Sequence, residues 1–130
     1  MTFEQVRQHI ATKMVAWSGL TSDRVTYENK TFTPPATGVW ARVTIQNADS
    51  IIACLADVPH TRDLGAIVIQ LFDRQGAGTA AINTAADSLR TWLQYYKVSN
   101  LELLQGSKQT IGVDSNGFYQ INVRFEYRAG

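Results

Sequence analysis

The sequence predicts an α+β domain, a mostly antiparallel mixed sheet with an N-terminal helix and a long crossover helix packed on it. Three observations carry that expectation. Apolar residues recur at helical spacing over 3–17 and again over 77–97. Between and after those stretches they alternate at period two, the signature of strands with one face buried. Short, turn-rich connections join neighbouring strand-like runs, which favours antiparallel pairing with the long helix as the crossover. No internal repeat, low-complexity tract or linker interrupts the 130 residues, so one domain with one core is expected over 1–130.

Thr2 followed three residues later by Gln5 is a capping-box pattern and starts the first helix. Phe3, Val6, Ile10, Met14 and Trp17 stack on one face of it, and Gly19 is the expected stop. A short strand follows from Val25, and Pro34-Pro35 makes 28–38 an extended loop, because proline lacks a donor and fixes φ. In "VWARVTIQ" (39–46), Val39, Ala41, Val43 and Ile45 alternate with Trp40, Arg42, Thr44 and Gln46, a half-buried strand with a large aromatic on its more polar side.

"SIIACLAD" (50–57) is an apolar, β-branched strand candidate, and "VPHTRD" after it is expected to be a loop. "GAIVIQLF" (65–72) fits a central strand, with Ile67, Ile69 and Leu71 facing one way and Val68, Gln70 and Phe72 the other. From 77 to 97, Ile82, Ala85, Ala86, Leu89, Trp92, Leu93 and Tyr96 line one helix face. Two strands follow, 100–105 and 108–113, and then a tight turn in which Asn116-Gly117 is expected to take positive φ at both positions. In the last strand Tyr119, Ile121, Val123, Phe125 and Tyr127 alternate strictly with polar residues.

Composition narrows the function. Hydrophobic residues make up 45% of the chain against 18% charged, which suits an ordered globule. Twelve Lys and Arg against eleven Asp and Glu give a net charge of +1, without the basic excess of a protein that lives on phosphate contacts. Cys54 is the sole cysteine, which excludes an internal disulfide and a multi-cysteine zinc site and fits synthesis in a reducing cytoplasm. Glu4 and Arg7 stand where a signal peptide needs an apolar core, and no apolar run approaches ~18 residues, so neither secretion by that route nor a membrane span is expected.

Candidate chemistry is sparse. "FDRQGAGT" (72–79) puts Gly76 and Gly78 between a strand and a helix, as phosphate loops do, but the Lys-Ser or Lys-Thr that reaches phosphate and magnesium is absent. The plainer reading is a sharp strand exit, with Gly78 or Thr79 capping the helix and Arg74 a solvated loop charge. "DVPHTRD" groups Asp57, His60, Arg62 and Asp63, and His9 is the one further imidazole, so an acid/base or metal site there competes with an ordinary polar loop. Cys54 has no His or Lys nearby in sequence and fits an inert buried thiol. No G-x-S-x-G motif occurs. None of these patterns amounts to an evident active site, cofactor site or metal site. Trp40, with Arg42 two residues on and the proline loop before it, has two readings: core beneath the long helix, or an interface anchor.

Taken in order, Phe32-Thr33-Pro34 leading into "VWARVTI", Arg62-Asp63-Leu64-Gly65 running into "IVIQLFD", Gly76 and Gly78 opening a helix with Ala86-Asp87 and Leu89, and a closing "YQINVRF" (119–125) resemble the tail terminator, or tail-completion, proteins of long-tailed bacteriophages. The likeness runs from residue 3 to 128, and Arg74 departs from the turn residue expected after the Asp. It implies a structural virion protein, no enzyme and without cofactor or metal, made in the host cytoplasm and placed at the head–tail junction. There it would assemble with itself as a ring, a hexamer by the family's pattern, on the finished tail tube. Such a ring ends polymerisation of the tube protein, presents a surface to a head–tail connector protein, and leaves an opening compatible with DNA passage.

A ring needs two different patches on each subunit. Phe32, Pro34, Pro35, Trp40, Arg42, His60, Arg62 and Arg74 are the interface candidates, and 57–64 is expected to order on assembly. The alternatives are another neck component or, from a different class, a small ligand-binding enzyme using the 57–63 and 72–79 loops.

Overall fold

The computed structural model describes residues 1–48 and 61–130 in full and the backbone of 51–54 and 60. Helix α1 spans Phe3–Val15, and its capping box forms as the sequence dictates: the Thr2 hydroxyl accepts from Gln5 N–H and the Gln5 side-chain oxygen accepts from Thr2 N–H. Val6, Ile10 and Met14 are buried. Phe3 is 62% exposed, because helical side chains lean toward the N-terminus and one in the first turn overhangs the helix end. The helix stops at Ala16, before the expected Gly19. Gly19 serves packing instead, since a Cβ there would lie 2.3 Å from the Trp17 ring. Trp17 is buried, and its indole N–H donates to Ser88 Oγ at 3.0 Å.

A single 3₁₀ turn, Ser22–Arg24, leads into β1 (Val25–Tyr27). There follow β2 (Trp40–Asn47), β3 (Ile51–Cys54), β4 (His60–Arg74), helix α2 (Ala80–Leu93), β5 (Lys97–Val98), β6 (Leu101–Val113) and β7 (Phe118–Ala129). The strand order is β1-β2-β4-β7-β6-β5, and β3 pairs with β4 beyond the end of β2. Only β1–β2 is parallel. Because β7 lies antiparallel between β4 and β6, those two run parallel, and α2 is the crossover that joins them. The expected mixed α+β fold is therefore the one observed.

Besides the end of α1, three elements and one turn differ from expectation. Residues 60–63, expected in a loop, open β4: Thr61 and Arg62 pair with β3 and Asp63 with Ala129, so backbone pairing overrides a polar local sequence. The span 55–59, with Asp57, lies outside the described residues. Helix α2 is 14 residues, about 21 Å, and ends at Gln94, where Tyr95 turns to φ +62° and leads the chain into β5. The runs 100–105 and 108–113 form one strand, kept continuous by register shifts between Leu103 and Gly106 and between Thr110 and Gly112. In the 114–117 turn only Gly117 has positive φ (+80°). Asp114 supplies the rest: its carbonyl accepts from Gly117 N–H, and its Oδ1 accepts from Asn116 and Phe118 N–H.

Period-two alternation sorts the sheet into two faces. Odd-numbered residues of β2, β4 and β7, among them Val43, Ile67, Ile69, Leu71, Val123 and Phe125, join the buried side chains of α1 and α2 in one core; this is the helix face. Gly65 stands opposite Tyr127 there, and its missing side chain makes room for that ring, which a Cβ would approach to 2.5 Å. The even-numbered residues form the other face, on which no helix lies among the described residues.

Candidate functional site

On this open face, the register Trp40↔Phe72 and Arg74↔Phe118 brings three aromatic rings to one corner of the sheet. Trp40 stacks on Phe72, centroids 4.2 Å apart and planes 15° apart, and meets Phe118 edge-on at 5.6 Å. Phe32 comes from the 28–38 loop and tilts against Trp40 at 5.1 Å. Two guanidiniums lie over the cluster, Arg42 at 5.6 Å from the Trp40 centroid and Arg74 at 4.9 Å from that of Phe118.

The loop is pinned from both sides by arginines. Arg74 Nε donates to Ala36 C=O at 2.7 Å and its NH2 group to Pro35 C=O at 3.3 Å. Arg24 donates to Thr37 C=O at 2.8 Å. A proline pair cannot supply backbone donors to hold itself, so side-chain cations do so. Trp40 is only 3% exposed, and its indole N–H is buried without a hydrogen-bond partner among the described residues. Such an orphan donor costs about 1–3 kcal/mol.

Thus Trp40 is buried, though not under the long helix as one reading had it: the loop and the neighbouring rings cover it, on the face away from both helices. Phe32, Pro35, Trp40, Arg42 and Arg74 come together, and Pro34 is half-buried in the same loop. His60 and Arg62 do not join them. They sit at the far end of β4, roughly 40 Å (Arg62) to 46 Å (His60) along the strand from Arg74. Phe72, Phe118 and Arg24 belong to the corner and were not singled out by the sequence. The even-numbered position of Phe72 was a usable signal, but its neighbour across the sheet was not.

Little supports acid/base or phosphate chemistry. Arg62 and Asp63 are consecutive strand residues and so face opposite sides of the sheet, which separates two of the four residues grouped in "DVPHTRD". Among the described residues no three of His, Cys, Asp and Glu gather as a metal-binding group. Gly76 and Gly78 take φ +86° and +81°, and an added Cβ at either would meet nothing within 4 Å. They make a bend before α2, whose N-cap Thr79 makes no side-chain capping bond. Burial pushes the phenols of Tyr27 and Tyr127 up, with Asp63 adding to the effect at Tyr127, and both lie outside the aromatic corner.

The model of the phage tail terminator protein family matches residues 5–127. The chain belongs to that family. A tail terminator is a structural component of the phage tail, which places this chain in the virion. Comparison with curated proteins gives no match. Among solved structures, one protein of unstated function superposes with a TM-score of 0.73 at 19% identity, covering 100% of this tail terminator and 96% of its own chain. A chain from the virion of a native gene transfer agent particle superposes with a TM-score of 0.51 at 17% identity, covering 98% and 90%. At such identities these two likenesses speak for the fold.

Proposed function

We propose that this tail terminator closes the completed tail tube as a ring of six copies of the chain; it stops further addition of tube protein and offers the surface to which the head-side connector joins. Catalysis plays no part in this reading. Family membership over 5–127 supports it, and one structural observation carries it: an open sheet face with a cation-covered aromatic corner beneath a proline-stiffened loop. Aromatic and arginine side chains are the residues that anchor protein contacts. The orphan indole N–H of Trp40 adds a reason for the 28–38 loop to shift when a partner arrives, since the shift exposes a donor that is unsatisfied in the free chain.

The proposed contact is Phe32, Pro34, Pro35, Trp40, Arg42 and Arg74. Its test mixes the purified chain with growing tail tubes and measures tube length and end caps by negative-stain microscopy. Arrested tubes with a cap are expected, and Arg42→Glu, at a half-exposed position, should abolish capping while the chain stays folded, its melting temperature lowered by only a few degrees for the lost contact with Trp40. Tubes that elongate unchecked with wild-type chain would overturn the reading, and binding to the head-side connector without tube arrest would make the chain a neck component instead.

A further inference from the structure

We infer that neighbouring copies of this chain join head to tail, with Ile111 and Val113 at the outer edge of β6 seating in the groove between α1 and the β1–β2 edge of the next copy. This rests on the ring reading above and gives the ring its subunit contact. A closed ring is built from heterologous contacts, so one chain must carry two different, matching patches. The strand order puts the β1–β2 edge and the β6 edge on opposite sides of the sheet.

On the β6 side, the outer edge is covered only as far as Gly106. Strand β5 pairs with Leu101 and Glu102, Tyr96 C=O accepts from Leu103 N–H, and Gln94 Oε1 accepts from Gly106 N–H. Beyond that point no strand lies outside β6 among the described residues. The register shift between Thr110 and Gly112 makes Ile111 the extra residue of a bulge. Bulges re-aim side chains and blunt an edge against strand addition, so this edge offers side chains to a partner in place of a backbone ladder. Ile111 is 46% exposed and Val113 is 53% exposed.

On the opposite side, α1 and the β1–β2 edge leave a groove of about 300 Å³. Its floor is made by Ile45 and Ala11 over the buried Ile10 and Val43, its walls include Tyr27 and the charged Arg7, Glu28 and Lys30, and Val15, 71% exposed, forms its lip. The edge itself is closed to strand addition here, because Ile45 N–H already donates to Glu28 Oε1 at 2.6 Å. An apolar knob without a ladder thus faces an apolar slot without a ladder. Charge agrees with this pairing. Asp114 follows Val113 and uses only Oδ1 in its turn; of the three charges at the groove, Arg7 is paired with Glu4 and Glu28 accepts from Ile45 N–H, while Lys30 makes no ion pair among the described residues and its ammonium lies 6.0 Å from the Tyr27 ring.

The test uses the full chain and two substitutions at exposed sites, Ile111→Glu on the knob and Val15→Glu on the groove lip. Circular dichroism checks that each stays folded, and light scattering with microscopy reads assembly. Each variant alone should associate at least tenfold more weakly and form no ring. Mixed one to one they should form dimers and stop there, because each such pair keeps one good contact.

In a Cys54→Ser background, Ile111→Cys with Ala11→Cys should give a disulfide between copies. Wild-type rings untouched by both glutamates, or rings without that disulfide, overturn this contact and leave the ring reading standing. Wild-type chain that stays monomeric even on tube ends overturns the ring reading itself.

Discussion

The two faces of the sheet bury apolar side chains by different means. On the helix face, Ile67, Ile69, Leu71, Val123 and Phe125 are covered by two amphipathic helices, which are tied to each other by Trp17 Nε1 to Ser88 Oγ and by Trp92 Nε1 to Lys13 C=O. On the open face the apolar area shrinks to one corner, where rings stack on rings beneath a loop held by arginines. The first arrangement involves elements distributed along the whole chain, so its loss should unfold everything. The second depends on a short loop and a few cationic contacts, so its loss should be local. The difference teaches that burial alone does not mark a residue as core: Trp40 and Phe125 are both nearly inaccessible, yet one is covered by helices and the other by a loop.

The largest expected effect tests the helix face. Phe125→Ala should destabilise the chain by about 3–5 kcal/mol in urea unfolding, with loss of protection throughout the sheet. A smaller loss confined to the β6–β7 hairpin would break the comparison. Next, Trp40→Ala should cost about 3 kcal/mol, at the low end because the loop can settle into the gap. Hydrogen exchange should rise in 28–38 while β4 and β7 stay protected; global unfolding equal to that of Phe125→Ala would erase the distinction between the faces.

Arg74→Ala should cost about 1 kcal/mol, since it removes two side-chain hydrogen bonds to the loop and the cation over Phe118. Its sharper readout is faster proteolysis within 31–38, and unchanged cleavage there would show that the arginine does not hold the loop.

The smallest effect concerns pH. Tyr127 donates to Asn47 Oδ1 at 2.8 Å, and burial pushes its phenol above the ordinary value of 10.0. Folding therefore favours the neutral phenol. That contribution is complete below the unfolded-state value and is lost as pH rises through the folded one. Tyr127→Phe should cost about 1 kcal/mol at neutral pH and flatten the alkaline decline, while the part due to Tyr27 persists. An unaltered alkaline slope in the variant would assign the decline elsewhere.

Much of the framework was legible because it depends on near neighbours. The Thr2–Gln5 cap uses atoms three residues apart, and the alternation of β7 states which side chains share a face. The polar start of β4 was not legible, since its strand character comes from pairing with β3 and β7 rather than from its own residues. The end of α2 was hidden for a similar reason: Tyr96 has helical spacing, but its carbonyl accepts from Leu103 N–H across the β5–β6 connection. At the candidate site, Trp40 and Arg42 could be named from sequence and Phe72 placed on a face of its strand, whereas the part played by Phe118 and Arg24 could not be read.

The sequence by itself determined the two helices, the period of the strands and the side of β2 on which Trp40 lies, because these follow from spacing along the backbone. The tertiary structure alone decided what covers Trp40, which arginines hold the proline loop, and that Ile111 is turned outward at a bulge. Those outcomes depend on register between segments distant in sequence, and register is set by the packing of the whole sheet.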